Sequence, residues 1–382
     1  MAHRLPRADS GGVRTFGVEE ELLLVDERGV ATPVAPFALA DAPAGFEDRL
    51  GAEIQQEMIE TQTRPQLGAD ELFADIVEGR TLADTLARRH GARAVAVAMS
   101  PLPLRPHATP DPRYDQMMER YGLTAKGTLV CGCHVHVAIH SREEGVAVLD
   151  RIRTWLPTLL ALSANSPFVG GVDTGHASYR FVAWHQWQSA GPTDVFGSVD
   201  AYDSFERLLV ETGVILDKAM LYLDARVSHK QPTVEVRVAD VCLDARDTVV
   251  LAALVRALVD TAVDEWRSGV APLPIPSAAL RLAEWQAALT GVGGMLPHPV
   301  SGREGTAVAA IDALLAHTAG ALQANGDLAL VRRGVVRILQ NGGGAGRQRA
   351  ALQRRGRMAD VVAEAIAVTH VAGEEGDDRF VA

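Results

Sequence analysis

Three observations in the sequence predict an α+β fold. Segments with period-two apolar alternation are scattered among helix-patterned ones without a strict βαβ rhythm. The clearest strands, near 15–26, 128–139 and 233–239, each have one apolar and one polar face. Beyond Pro276 the chain reads as all helical.

Taken in order, residues 1–13 are polar and Gly-rich and read as a tail. In Thr15–Asp26, Phe16, Val18, Leu22 and Leu24 share one face of a strand. Residues 53–63 read as a second strand of mixed polarity. Ala69–His90 has Leu72, Ile76, Leu82 and Leu86 near helical spacing, and Ala94–Met99 reads as a buried strand. Thr128–Ile139 is another strand. Ser141 and Glu144 form a capping box for a helix over 142–163, which Pro157 should kink. A long Gly-rich loop covers 166–178. A helix near 202–221, a strand at 233–239 and a long apolar helix at 245–267 follow. Helices at about 277–289, 303–323, 326–340 and 357–370 complete the chain, with Gly342–Gly346 as a glycine-rich turn and 373–382 as a second tail. One domain over 14–372 is therefore expected, its helical C-terminal part spanning about 277–372.

Composition narrows the function. The chain has 382 residues, 47% of them hydrophobic, enough for a sizeable core. Its 48 acidic and 37 basic residues give a net charge of -11, which argues against a nucleic-acid partner. Three cysteines are too few for a disulfide framework and suit a reducing, cytoplasmic setting. The N-terminus lacks the apolar run of a signal peptide. The apolar stretch Val249–Val263 is broken by Arg256 and Asp260, so no membrane span is expected.

Three strands carry polar pairs at i and i+2 on one face: Glu19 and Glu21, His134 and His136, Glu235 and Arg237. The segment EIQQEMIETQT adds Glu53, Glu57 and Glu60. If the strands are neighbours, these residues form a floor of carboxylates, imidazoles and a guanidinium. Clustered carboxylates resist desolvation unless cations bind, and an oxygen-rich set favours Mg²⁺ or Mn²⁺. Mg²⁺ commonly joins protein carboxylates to nucleotide phosphates, so the floor implies phosphoryl chemistry by metal clamp. Glu57 falls opposite Glu60 in a regular strand. Glu20 falls on the apolar face, where it needs a buried arginine or backbone donor. Cys131 and Cys133 point away from the histidines, which weakens a zinc reading and makes them small core residues.

The arginines outside the floor are less specific. Arg180 in SYRF could hold a carboxylate or phosphate, or form a surface ion pair. GGGAGRQR, with Arg347 and Arg349, only loosely resembles an anion-binding loop and lacks the Lys-Ser/Thr of a P-loop.

The ordered segments GVEEELLLVD (17–26), GTLVCGCHVHVAI (127–139), WLPTLLALSANSPF (155–168), DTGHASYRF (173–181), ILDKAMLYLDARVS (215–228) and PTVEVRVADVCLDARDTV (232–249) resemble the glutamate–cysteine ligase type 2 family. That resemblance implies a glutamine synthetase-like, curved and mainly antiparallel sheet with helices on its convex side. It also implies an ATP- and Mg²⁺-dependent ligase joining a glutamate-type acid to an amine such as cysteine through an acyl phosphate. Carried onto this chain, Glu19, Glu21, Glu60 and Glu235, with Glu53 in addition, match metal ligands. His134 and Arg237 match residues at the nucleotide and transferring phosphate, with His136 beside them. Arg180 matches a substrate-contacting arginine, and Arg347 lies in the weaker glycine-rich match taken as nucleotide-binding. Gln188 and Leu223 depart from the family pattern near the acceptor site. Relatives suggest a homodimer, for which the helices at 245–267 and 303–340 offer surface. Two rivals are a metal-dependent hydrolase built on the HVH pair, with His176, His185 or His229 as further ligands, and a protein that binds nucleotide without turnover.

Overall fold

The computed structural model describes residues 12–46 and 48–370; residues 1–11 and 371–382, which include most of the first expected tail and all of the second, lie outside the described residues. In chain order the elements are β1 (Phe16–Val25), α1 (Ala35–Ala40), β2 (Leu50–Ala52), β3 (Met58–Gln62), α2 (Ala69–Arg88), β4 (Arg93–Val95), α3 (Pro112–Tyr121), α4 (Leu123–Gly127) and β5 (Gly132–Ala138). Next come α5 (Arg142–Ile152), α6 (Leu156–Ser163), β6 (Phe168–Val169), β7 (Val172–Asp173), α7 (Tyr179–Trp184), α8 (Val199–Glu211), β8 (Ala225–Val227) and β9 (Thr233–Asp240). The chain ends in helices α9 (Ala245–Arg267), α10 (Ser277–Thr290), α11 (Ala307–Ala324), α12 (Leu328–Asn341), α13 (Gly343–Arg355) and α14 (Met358–His370).

The main sheet runs β2-β3-β1-β5-β9-β8, with β4 also pairing β1, and every pairing is antiparallel. Alternation divides its two faces. Val18, Val135, Val137, Val234 and Val236 enter one apolar cluster with α9, whose Asp244 cap accepts a hydrogen bond from the Arg246 N–H. Leu22, Leu24, β4 and α2 form a second cluster with Val362 and Ala365 of α14. The opposite face is left to the polar residues. One irregularity matters: Cys133 pairs with Ala239 but Val135 with Val236, so β9 carries an extra residue there. That bulge brings Asp240 opposite Gly132 and ends the simple alternation beyond Arg237.

Several expectations are corrected. Of the 53–63 segment only Met58–Gln62 is a strand, β3, which pairs with the preceding β2; Glu53 lies just past β2. The 142–163 helix is two helices rather than one kinked one: Pro157 sits in the first turn of α6, where its missing N–H costs nothing, and α5 stops before the carbonyl its ring would strike. The helix expected near 202–221 ends at Glu211, followed by a 3₁₀ turn at Lys218–Met220. The 166–178 loop contains the short β6–β7 hairpin, turned by Gly170 and Gly171 at positive φ. Gly342–Gly346 is not an extended turn, since only Gly342 and Gly343 have positive φ and α13 begins at once. A Cβ on Gly344 would meet Asn165 Oδ1 at 2.2 Å, so the small residue serves close packing. Helix α9 is core, with its residues from Val249 to Val259 all buried, and offers little free surface for a partner. By length and composition α11 could cross a membrane, contrary to the sequence expectation, although Ile311, Leu314 and Leu322 pack into the main core.

Glu20 finds the buried arginine it requires. Arg80 of α2 donates to its two oxygens at 2.8 and 2.7 Å, and also to the carbonyls of Cys242 and Leu243. With 1% and 2% of these residues exposed, removing one partner strands a buried charge. Glu20→Ala is therefore expected to lower the unfolding free energy by about 3–5 kcal/mol in urea denaturation. A loss under about 1 kcal/mol would show the pair to be dispensable.

Candidate active site

Register brings the polar pairs together. Glu19 lies opposite His134, Glu21 opposite Glu60, His136 opposite Glu235, and Glu235 opposite Arg226. Together with Glu53 and Arg237 these residues line one cavity of about 460 Å³. Its far wall is aromatic and basic: Trp184, Trp187, Tyr222, Tyr114, Arg113 and Lys218 face the floor across it.

Glu19 is the hub of the histidines. Its two oxygens lie 3.2 Å from His134 Nδ1 and 3.4 Å from His136 Nε2. Burial works against its charge, but the hydrogen bonds from both imidazoles hold its carboxyl well below the usual range. His136 is pushed up against its burial by Glu19, while Thr233 Oγ1 holds its Nδ1 at 2.9 Å. His134 is pulled down by burial and by Arg237, which favours a neutral imidazole. Glu21 accepts the Gly132 N–H at 2.5 Å.

Glu235 is doubly held. Arg226 grips it through two bonds of 2.7 and 3.0 Å, and Arg237 bonds the same carboxylate. Despite burial, these cations and His136 hold Glu235 well below its usual value, and Arg237 is raised in turn. Glu53 and Glu60 have the opposite fate. Burial and the charges of Glu21 and Glu60 push Glu53 well up; burial and the charges of Glu19 and Glu21 push Glu60 to about 8. Carboxyls that titrate this high are short of countercharge, the condition a divalent cation would relieve. Two groups of candidate ligand atoms, Glu21–Glu60–His134 and Glu19–His134–Glu235, each lie within 4.8 Å of one another. The donor set therefore fits hard cations on both sides of His134.

Of the nine residues named for the floor, eight reach the cavity and Glu57 does not. Arg180 and Arg347 do not line it. Arg180 is 3% exposed, bonded to the carbonyls of Arg237 and Val238 and 3.9 Å from Asp240; its Nη2 sits 2.3 Å from where a Gly132 Cβ would be. The bulge in β9 creates that berth by turning Asp240 toward it. Arg347 pairs with Asp244 at 3.4 Å on the helical side, and Arg349 with Asp173. Glu57 points away to His107, as its parity requires, and Cys131, Cys133 and Cys242 are buried core residues. Of the further histidines weighed for a hydrolase, only His229 reaches the cavity, and it lies 3.4 Å from Glu206. Arg226 went unnoticed although alternation between Ala225 and Val227 marks it. Arg113 and Tyr114 went unnoticed too, although Asp111–Pro112 is a helix start.

The profile of the glutamate-cysteine ligase family 2 (GCS2) matches residues 15–366. A protein of Paenarthrobacter aurescens named "Putative glutamate--cysteine ligase 2-1" is 50% identical over 382 residues, covering 96% of this chain and 97% of its own. A "Putative glutamate--cysteine ligase 2" of Streptomyces coelicolor is 47% identical over 363 residues, 94% of this chain and 100% of its own. Among solved structures, the glutamate–cysteine ligase of Francisella tularensis in complex with AMP superposes with a TM-score of 0.68 at 12% identity, covering 96% of this chain and 91% of that one. A bifunctional glutathione synthetase from Pasteurella multocida gives 0.64 at 14% identity, covering 94% and 51%. At these identities the two structures establish the fold.

The raised carboxyls make stability pH-dependent. A carboxyl that titrates near 8 when folded and near 4.5 when unfolded binds more protons in the folded state, so stability falls as pH rises between those values. In metal-free buffer the melting temperature should fall over that window, and Mg²⁺ should restore most at its alkaline end. A Glu53→Gln/Glu60→Gln double variant should flatten the slope in a thermal-shift series; an unchanged slope would place its origin elsewhere.

Proposed function

Because the chain belongs to the glutamate–cysteine ligase family 2, we propose that its cavity performs ATP-dependent ligation of a glutamate-type carboxyl to an amine, with cysteine as the reference acceptor. The observation that carries this reading is the convergence of Glu19, Glu21, Glu53, Glu60 and Glu235 around His134 and Arg237 in one cavity. In the reaction a carboxylate oxygen of the acid attacks the γ-phosphorus of ATP and ADP departs. The amine then attacks the acyl phosphate, forming the amide and releasing phosphate.

Glu21 and Glu60 with His134, and Glu19 and Glu235 with the same imidazole, are the residues that would hold Mg²⁺ or Mn²⁺. Such ions supply charge neutralisation and orientation for the triphosphate. For Glu235 to serve, Arg237 would turn from it toward the phosphates. The Arg237 guanidinium stabilises the charge of the transferring phosphoryl group, and Arg226 keeps Glu235 ionised meanwhile. Glu53, the floor carboxylate outside both ligand groups, accepts the proton released by the attacking ammonium. Arg113 and Lys218 on the rim suit the α-carboxylates of amino-acid substrates, while Trp184, Trp187 and Tyr222 exclude water from the acyl phosphate. Arg180 acts behind this layer: its Cζ lies 5.9 Å from the Trp184 ring centroid, so it positions the wall.

A homodimer belongs to the same proposal, through α11 and α12, where Val308 and Val336 are 46% and 52% exposed. Sedimentation velocity that finds only monomer at working concentration would remove it.

The test is ADP release with Mg²⁺-ATP and glutamate, with and without cysteine. Dependence on both substrates, a γ-glutamyl product and its disappearance in Glu235→Gln are expected. Arg237→Ala should lower kcat by about 10²–10³-fold, the usual cost of deleting a charge-stabilising donor. ATP binding without ADP release would move the search to other acid and amine pairs, and absence of ATP binding would overturn the proposal.

A further inference from the structure

Behind the aromatic wall lies a second cluster that the ligase chemistry does not use. His185 closes the end of α7, Asp224 leads into β8, and Glu284 lies in α10; one ligand atom from each falls within 4.8 Å of the others. Glu284 is 0% exposed and neither of its oxygens has a hydrogen-bond donor; Asp224, 4% exposed, has the same lack at Oδ2. Two buried carboxylates thus face one another without a protein donor between them. Burial pushes both carboxyls up, and the Asp224 charge beside it raises Glu284 further. Arg180 and Arg281 lend distant positive charge, yet among the described residues neither donates a hydrogen bond to the pair.

His185 supplies the third element. Its Nδ1 lies 2.8 Å from the Phe181 carbonyl, which can only accept, so the ring proton sits on Nδ1. In the neutral ring that leaves the Nε2 lone pair free to coordinate, and Nε2 is buried with no partner. A carbonyl that fixes the tautomer from behind is the usual support of a metal-binding imidazole. Gly191, at φ +125°, adds no Cβ beside that nitrogen, where one would lie 3.6 Å away.

We propose that His185, Asp224 and Glu284 form a divalent transition-metal site, filled by Zn²⁺, that ties α7, β8 and α10 together behind the active cavity. Two carboxylates balance the ion's charge, and the imidazole nitrogen favours Zn²⁺ over Mg²⁺. Ligands about 2.0–2.2 Å from a tetrahedral ion stand roughly 3.3–3.6 Å apart. The 4.8 Å bound thus asks at most for a closure of about 1.2–1.5 Å, within reach of the Glu284 torsions. A fourth position remains for solvent. The site has a structural role: Trp184 immediately precedes His185, and Tyr222 and Arg226 flank Asp224 by two residues on either side, all three lining the cavity.

The full-length protein, stripped by chelator and held in excess Mg²⁺, is titrated with Co²⁺ as a spectroscopic probe. One equivalent should develop the intense visible d–d absorption of a low-coordinate ion and be displaced by Zn²⁺, which should also raise the melting temperature by several degrees. His185→Gln and Glu284→Gln should each abolish both signals, whereas Glu235→Gln, in the floor, should retain them. Absence of stoichiometric binding, or signals that survive Glu284→Gln, would overturn the proposal. Glu284→Gln that stabilises a protein binding no metal would instead identify a proton-sharing carboxyl pair, and would overturn it equally.

Discussion

Five carboxylates in one cavity cannot all stay ionised without countercharge, and this constraint organises the molecule. Arg226 and Arg237 answer one of them, Glu235, and the two imidazoles answer Glu19. Glu53 and Glu60 are left short, and their raised titration records the debt. The rest of the fold holds this arrangement in register. Antiparallel pairing fixes which side chains meet, and the apolar side of the same strands, packed on α9, prevents a slip, because a one-residue shift would bury the carboxylates and expose the valines.

The floor was legible because it rests on the most robust rule of strand geometry. Residues i and i+2 share a face, so Glu19 with Glu21, His134 with His136, and Glu235 with Arg237 follow once the strands are recognised. The need of Glu20 for a buried arginine followed from the same parity. Strand neighbourhood was an assumption at that stage, and the register from Glu19↔Gln62 to Arg226↔Glu235 supplies it.

What was not legible depends on tertiary geometry. No local pattern announces the bulge that turns Asp240 toward Arg180, so a conspicuous arginine after a glycine-rich loop could not be told from a wall support. The glycines at 342–346 advertise a loop, but close approach to Asn165 gives them a packing role inside a helix start. The aromatic wall comes from α3, α7 and the segment before β8, three elements far apart in the chain, and short helices carry little periodicity. His185, Asp224 and Glu284 are equally scattered, which is why their meeting is visible only in three dimensions.

The Glu20–Arg80 joint has a consequence for motion. It lies on the reverse of β1, between the two floor residues Glu19 and Glu21, and fastens that strand to α2 and to the Cys242–Leu243 carbonyls that follow β9. Loosening the floor would break a desolvated ion pair and both apolar clusters at once, so local opening there is costly. The way into the cavity lies over its rim, where α3 and the 218–231 segment meet water, while the acidic floor beneath is anchored from behind.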